Sequence, residues 1–140
     1  MTWESPAQKV AIILHSGAYD RASYALSIAL GALACGMEVD MQLTYEGLRR
    51  FTKGYLTSLG DETSPLVRDA FEQGLADGKI QTLDNRLAEA KEMGLRLYAC
   101  PASMAILGID EEELLDEIDG IMGVVSFLAQ ARVASIHWYI

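Results

Sequence analysis

The sequence predicts an α/β fold, a three-layer α/β/α arrangement around a five-stranded parallel sheet. Three observations predict it. KVAIILH (Lys9–His15) is an unbroken apolar, β-branched run, as in strands buried on both faces beneath helices. Strand-like runs then alternate with helix-like segments, which is the order of βαβ units with right-handed crossovers. Glycines stand where helices should stop, at Gly36 and Gly94.

The first strand leads through the turn SGAYD into a helix for which Asp20 is the expected N-cap. Ala22, Ala25, Leu26, Ala29 and Leu33 form one apolar stripe along that helix. EVDMQLTY (Glu38–Tyr45) is the second strand, completing a β–α–β unit. EGLRRFTKGYL then predicts a short helix, and SLGDETSP a loop ending at Pro65. LVRDAFEQGLADG and LDNRLAEAKEMG are two further helices, with Leu83, Leu87 and Ala90 as the stripe of the second and Lys91 in its last turn. LRLYA is the third strand. Asp110 is expected to cap a helix over EEELLDE, with Glu113 at the capping-box position. EIDGIM supplies a very short fourth strand, VVSFLAQARV a helix, and ASIHWYI the last strand. No repeat, low-complexity tract or linker divides residues 1–140, so one domain is expected.

Bulk properties narrow the function. The chain has 140 residues, 51% hydrophobic and 22% charged, enough for a core without disulfides or metals. A net charge of −9 argues against nucleic acid and anionic membrane partners, because no basic stripe is present. The start MTWESPAQKV lacks the basic and apolar regions of a secretory signal, and Ile121–Ala129 is too short to span a bilayer. Two cysteines in such a chain suggest a reducing, cytoplasmic setting.

Ligands of open parallel sheets bind beyond the carboxyl ends of the strands. Here His15–Ser16–Gly17, Thr44–Tyr45–Glu46, Cys100–Pro101–Ala102–Ser103 and the Gly120–Gly123 region furnish that edge. HSGAYD has one glycine and so is neither a dinucleotide fingerprint nor a phosphate loop. His15, Cys35, Cys100 and His137 lack paired metal-ligand spacing, so no metal and no cofactor is implied. His15 reads as a strand-end residue bonded locally, and His137 as a satisfied interface or core histidine. The acidic cluster Glu111–Asp119 reads as a solvated helix start. Cys35, in ALACGME at the end of the first helix, reads as an inert core thiol. It lies at the opposite sheet edge from Cys100, so a bridge between the two is not expected.

Cys100 stands where a strand ends and a helix begins, with Pro101 suited to the first helical turn. The free amides of Ala102 and Ser103 and the helix dipole would favour a thiolate there, the nucleophile of sulfur transfer or peroxide reduction. On the residues alone, a reactive and a structural cysteine both stay open.

The motifs IILHSGAYDRA, CGMEVDMQLTYEGL, ACPASMAILGI and GIMGVVSFLAQA together resemble the DsrE/DsrF-like sulfur-relay family, in its branch labelled peroxiredoxin-like. The resemblance covers nearly the whole chain, least firmly Thr52–Thr82. It implies a cytoplasmic sulfur carrier assembled as a trimer or hexamer, with donor and acceptor proteins as partners. It makes Cys100 the residue that takes sulfur, as persulfide or thiosulfate, and passes it to an acceptor thiol. Ser16, Gly17, Tyr45 and Ser103 would line the pocket, Ser103 being equally readable as a turn residue. Pro101 departs from the Gln common at that position, and the tail HWYI is unusually aromatic, as at a subunit interface. No Cys-x-x-Cys is present, which disfavours a self-sufficient peroxidase or a rhodanese. The alternatives are a non-enzymatic oligomeric module binding a small ligand, with Cys100 structural, and a thiol peroxidase-like protein.

Overall fold

A computed structural model describes residues 8–140; the polar start up to Ala7, read above as carrying no leader, lies outside them. Five strands, β1 (Lys9–Leu14), β2 (Glu38–Leu43), β3 (Arg96–Ala99), β4 (Gly120–Ile121) and β5 (Ile136–Tyr139), form one sheet in the order β4-β3-β2-β1-β5. Every pairing is parallel, as the sequence predicts. Six helices connect them: α1 (Tyr19–Ala34), α2 (Tyr45–Arg50), α3 (Pro65–Ala76), α4 (Leu83–Glu92), α5 (Pro101–Leu107) and α6 (Val124–Ala131).

Strand alternation divides the sheet into two unlike faces. Val10, Ile12, Leu14, Val39, Met41, Leu43, Leu97 and Ala99 face the main core, where the stripes of α1 and α4 cover them. Ala11, with Ile13 and Tyr98 at its border, faces a smaller cluster made by Phe127 and Ala131 of α6. Asp40 shares that second face, fully buried, with Lys9 Nζ at 3.0 Å and Arg96 Nε at 2.5 Å. A buried carboxylate needs such partners, because desolvation would otherwise disfavour its charge.

Four expectations are corrected. Helix α1 begins at Tyr19 with Ala18 at the N-cap, so Asp20 lies inside the first turn and does not cap. Its leading amides are bonded instead by Ser16 Oγ, accepting from Ala18 N at 3.2 Å, and by Thr63 Oγ1, accepting from Tyr19 N at 2.9 Å. The helix expected over residues 46–56 stops at Arg50, where the backbone passes into turns. The helix expected over EEELLDE is only a 3₁₀ turn, Glu111–Glu113, and the Asp110 side chain caps nothing. The following backbone is committed elsewhere: Lys53 N donates to Glu113 O, Leu115 N donates to Phe51 O, and Leu114 is buried. Lastly, Cys35 is an exposed free thiol and not a core one. It follows Ala34 as the C-cap residue and falls off the stripe that buries Ala22, Ala25, Leu26 and Ala29.

Tyr19 is buried between Phe71, edge-on at 5.1 Å, and the Arg50 guanidinium 5.4 Å from its ring centre. Burial holds its phenol above the ordinary 10.0, with the Arg50 charge opposing. The folded state therefore keeps a proton that the unfolded chain releases. The associated stability is present below about pH 10 and is lost as pH rises toward the folded-state value. Tyr19→Phe should remove this alkaline loss while keeping the packing, as read by urea denaturation at about pH 9 and about pH 11.

Candidate functional site

The carboxyl edge of the sheet is built by three strands that end level with one another. Leu14 pairs with Leu43, and Leu43 with Ala99. Hydrogen bonding carries the ladder one step further, with Thr44 N donating to Leu14 O at 3.0 Å and Cys100 N to Leu43 O at 3.1 Å. His15, Thr44 and Cys100 thus stand side by side, spaced roughly 4.8 Å per strand. Met122 adjoins Cys100, its N–H donating to Ala99 O at 3.0 Å. Thr44 (φ −128, ψ 153) and Cys100 (φ −77, ψ 117) are both extended, so alternation holds and puts them on the α6 face with Gln42 and Tyr98. Gln42 Nε2 donates to Met122 O at 3.0 Å, tying β2 to the start of the α6 connection.

Cys100 is the N-cap of α5, with Pro101 in the first turn as the sequence predicts. Its thiol makes no capping bond to the amides of Ala102 or Ser103, which were expected to receive it. The extended Cys100 backbone aims the side chain with the strand, onto the α6 face and not over α5. The residue is 8% exposed. Ser103, completely buried, turns to α2: its Oγ accepts from Tyr45 N at 2.9 Å.

Tyr45 is the one non-glycine residue with positive φ (46°) among the described residues, a conformation that costs about 1–3 kcal/mol unless its surroundings impose it. Its neighbours do so. Ser103 holds its amide, and its ring lies 4.9 Å from that of His15, which in turn lies 5.8 Å from Tyr139 of β5. Cys100, Tyr45 and Ser103 are thus brought together at one edge.

Ser16 and Gly17 sit in the turn after β1 with structural partners. Ser16 Oγ caps α1, and Gly17 O accepts from Arg50 Nε at 2.5 Å. A Cβ on Gly17 would lie 2.7 Å from Glu46 O, so only glycine fits between α2 and the following loop. A cleft of about 310 Å³ opens there, lined by Glu46, Arg49, Tyr55, Asp61 and Glu62 among others, and Cys100 does not line it. Burial draws the Arg50 guanidinium below its ordinary value, against the raising effect of Glu62.

His137, in β5, is satisfied through Nε2, which donates to Ala131 O at 2.9 Å. Among the described residues no group of three or more His, Cys, Asp or Glu is placed to hold a metal ion. No helix among them is long and apolar enough to cross a membrane. Two residues of the row, His15 and Thr44, are placed at this edge by the sequence but are absent from the pocket lining expected there. The available signal was positional: the three apolar runs terminate at His15, Thr44 and Cys100, and parallel pairing sets those ends adjacent.

A buried cysteine ending the third strand of a five-stranded parallel sheet, flanked at that edge by strand-end polar residues, defines a cysteine-centred α/β/α protein. The chain belongs to the DsrE/DsrF/DrsH-like family, whose model matches residues 61–139, the cysteine segment included. The uncharacterized protein YrkE of Bacillus subtilis (strain 168) is 32% identical over 158 aligned positions, which cover 95% of this chain and 97% of YrkE. Two solved structures share the fold. The YchN protein of E. coli has a TM-score of 0.63 at 12% identity, covering 95% of this chain and 99% of its own. MTH1491 of Methanobacterium thermoautotrophicum, a protein of unknown function, has a TM-score of 0.60 at 13% identity with the same coverage.

Proposed function

We propose that this protein is a cytoplasmic sulfur carrier that takes sulfur on Cys100 and delivers it to an acceptor protein thiol. The observation that carries the reading is the place of Cys100: at the ligand-binding edge of a parallel sheet, in a chain of this family, with no second thiol near it. Cys35 precedes β2 and Cys100 stands level with its far end, about 20 Å away at 3.3 Å per residue. A resolving disulfide within the chain, which a self-sufficient peroxidase needs, is out of reach.

The transfer is a thiolate exchange. The Cys100 thiolate attacks the terminal sulfur of a donor persulfide R–S–SH; a Cys100–sulfur bond forms as the R–S to sulfur bond breaks. R–S⁻ leaves with the electron pair and the proton stays on the transferred sulfur. An acceptor thiolate repeats the exchange and regenerates the Cys100 thiolate, so no external oxidant or reductant is consumed. Tyr45 and Ser103 shape the edge around the sulfur, with Ser16 and Gly17 in the adjoining turn. Pro101 leaves one fewer backbone donor beside it.

Homo-oligomerisation, as a trimer or hexamer, is part of the reading. What supports it is uncovered apolar surface: all four β5 residues are exposed at a sheet edge, Tyr139 by 69% and Trp138 by 48%, beside Val125 and Leu128 of α6.

The test is intact and peptide mass spectrometry after incubation with a small-molecule persulfide. Because Cys35 is exposed and would take sulfur unselectively, Cys35→Ser is the background. That protein should gain one sulfur atom on the Cys100 peptide and pass it to an added thiol. Cys35→Ser/Cys100→Ser should gain none, and a mass gain at an unchanged rate would sink the proposal.

A further inference from the structure

We infer that the Thr44 hydroxyl is the hydrogen-bond donor for the terminal sulfur of a Cys100 persulfide, and that the site is built for this single-atom sulfur anion in preference to a sulfonate. The inference rests on the carrier reading above and adds to it a second residue and a class of cargo. Thr44 is 9% exposed and its Oγ1 is buried, with no hydrogen-bond partner among the described residues. A hydroxyl left so has lost its hydration with nothing in return.

Its position would ordinarily supply a partner. Thr44 is the N-cap of α2, where a threonine oxygen accepts from an amide of the first turn. Two of the first-turn amides are held by other groups, Tyr45 N by Ser103 Oγ and Gly47 N by His15 O at 3.0 Å. Thr44 Oγ1 caps nothing. It is instead the register neighbour of Cys100 on the α6 face, one strand away. The described fold thus leaves a buried, unpartnered hydroxyl beside the cysteine.

When sulfur is bound, release of its proton leaves Cys100–S–S⁻, and the Thr44 O–H can point at the terminal atom. A hydrogen bond to an ionised partner is worth more than a neutral one, which offsets the standing cost of the unpaired hydroxyl. A sulfonate would bring three oxygen acceptors to a place where, among the described residues, the one buried, unpartnered side-chain donor beside Cys100 is the Thr44 hydroxyl.

Three variants in the Cys35→Ser background test this: Thr44→Val, which keeps the shape, Thr44→Ala, which fits any packing, and Thr44→Ser, which keeps the hydroxyl. Sulfur loading of Cys100 from a small-molecule persulfide should fall about tenfold in the first two and stay within about twofold in the third. Alkylation of Cys100 by iodoacetamide, which makes no use of a donor to sulfur, should change by less than about twofold in all three. The parent should load from persulfide faster than it forms the thiosulfonate adduct with tetrathionate. Undiminished loading in Thr44→Val and Thr44→Ala overturns the inference while leaving the carrier reading intact. So does a Thr44→Ser protein as slow as Thr44→Val, or faster loading from tetrathionate. A parent protein that takes no sulfur overturns both.

Discussion

Arg50→Met should destabilise the protein by about 3–5 kcal/mol, seen as a large drop in the urea midpoint. The guanidinium is almost wholly buried and donates to five backbone carbonyls: Gly17 O through Nε, Tyr55, Leu56 and Ser58 O through one terminal nitrogen, and Leu59 O through the other. The second terminal nitrogen also lies 3.6 Å from Glu62 Oε1. Residues 51–64 have no helix or strand of their own, and one side chain satisfies carbonyls that secondary structure would otherwise pair. Methionine keeps the volume and removes every donor. Hydrogen bonds to a charged group are worth about 1.5–3 kcal/mol each and do not add, so the estimate is a lower share of their sum. For a domain whose whole stability is about 5–15 kcal/mol, this is a large fraction. A measured loss below about 1 kcal/mol would show that the loop holds itself in place.

The same residue shows why some of the fold was legible in the sequence and some was not. β1, β2 and α1 follow from local pattern, because KVAIILH and the 22-25-26-29 stripe bury themselves in the way their periods dictate. Cys100 is legible as a strand-to-helix junction because Tyr98-Ala-Cys-Pro carries both signals within four residues. Segments whose backbone is satisfied from a distance depart from their local pattern. Residues 111–117 have the acidic start and apolar period of a helix, yet pairing with residues 51–53 consumes their amides and carbonyls. Asp20 has the right type for a cap, yet Thr63, 44 residues from Tyr19, accepts from the leading amide. The candidate site divides along the same line. Cys100 is visible alone, whereas the row His15–Thr44–Cys100 is assembled by strand register, and Thr44 looks like an ordinary cap although its hydroxyl bonds no amide of α2.

Two glycine-to-alanine changes should act with opposite sign, and the pair isolates what holds the site together. Both Gly31 and Gly47 lie within helices, where alanine is intrinsically better by about 1 kcal/mol. At Gly31, in α1, an added Cβ meets nothing within 4 Å, so Gly31→Ala should raise stability by up to that amount. At Gly47, in α2, the added Cβ would fall on the Leu14 carbonyl oxygen, far inside the 3.0 Å that real Cβ atoms respect, and within 2.9 Å of the Leu14 carbonyl carbon. That obstacle is backbone in a central strand and cannot swing aside. Helix α2 must lift instead, straining the Gly47 N to His15 O and Thr44 N to Leu14 O bonds, each worth about 1 kcal/mol. Overpacking adds about 1–3 kcal/mol, so Gly47→Ala should come out destabilised by about 2–4 kcal/mol after the helix gain is subtracted. Because those two bonds join α2 to the ends of β1 and β2, the variant should also load sulfur on Cys100 more slowly at temperatures where it remains folded. Equal urea midpoints for the two variants would mean that α2 does not rest on the end of β1, and the row of His15, Thr44 and Cys100 would lose its support.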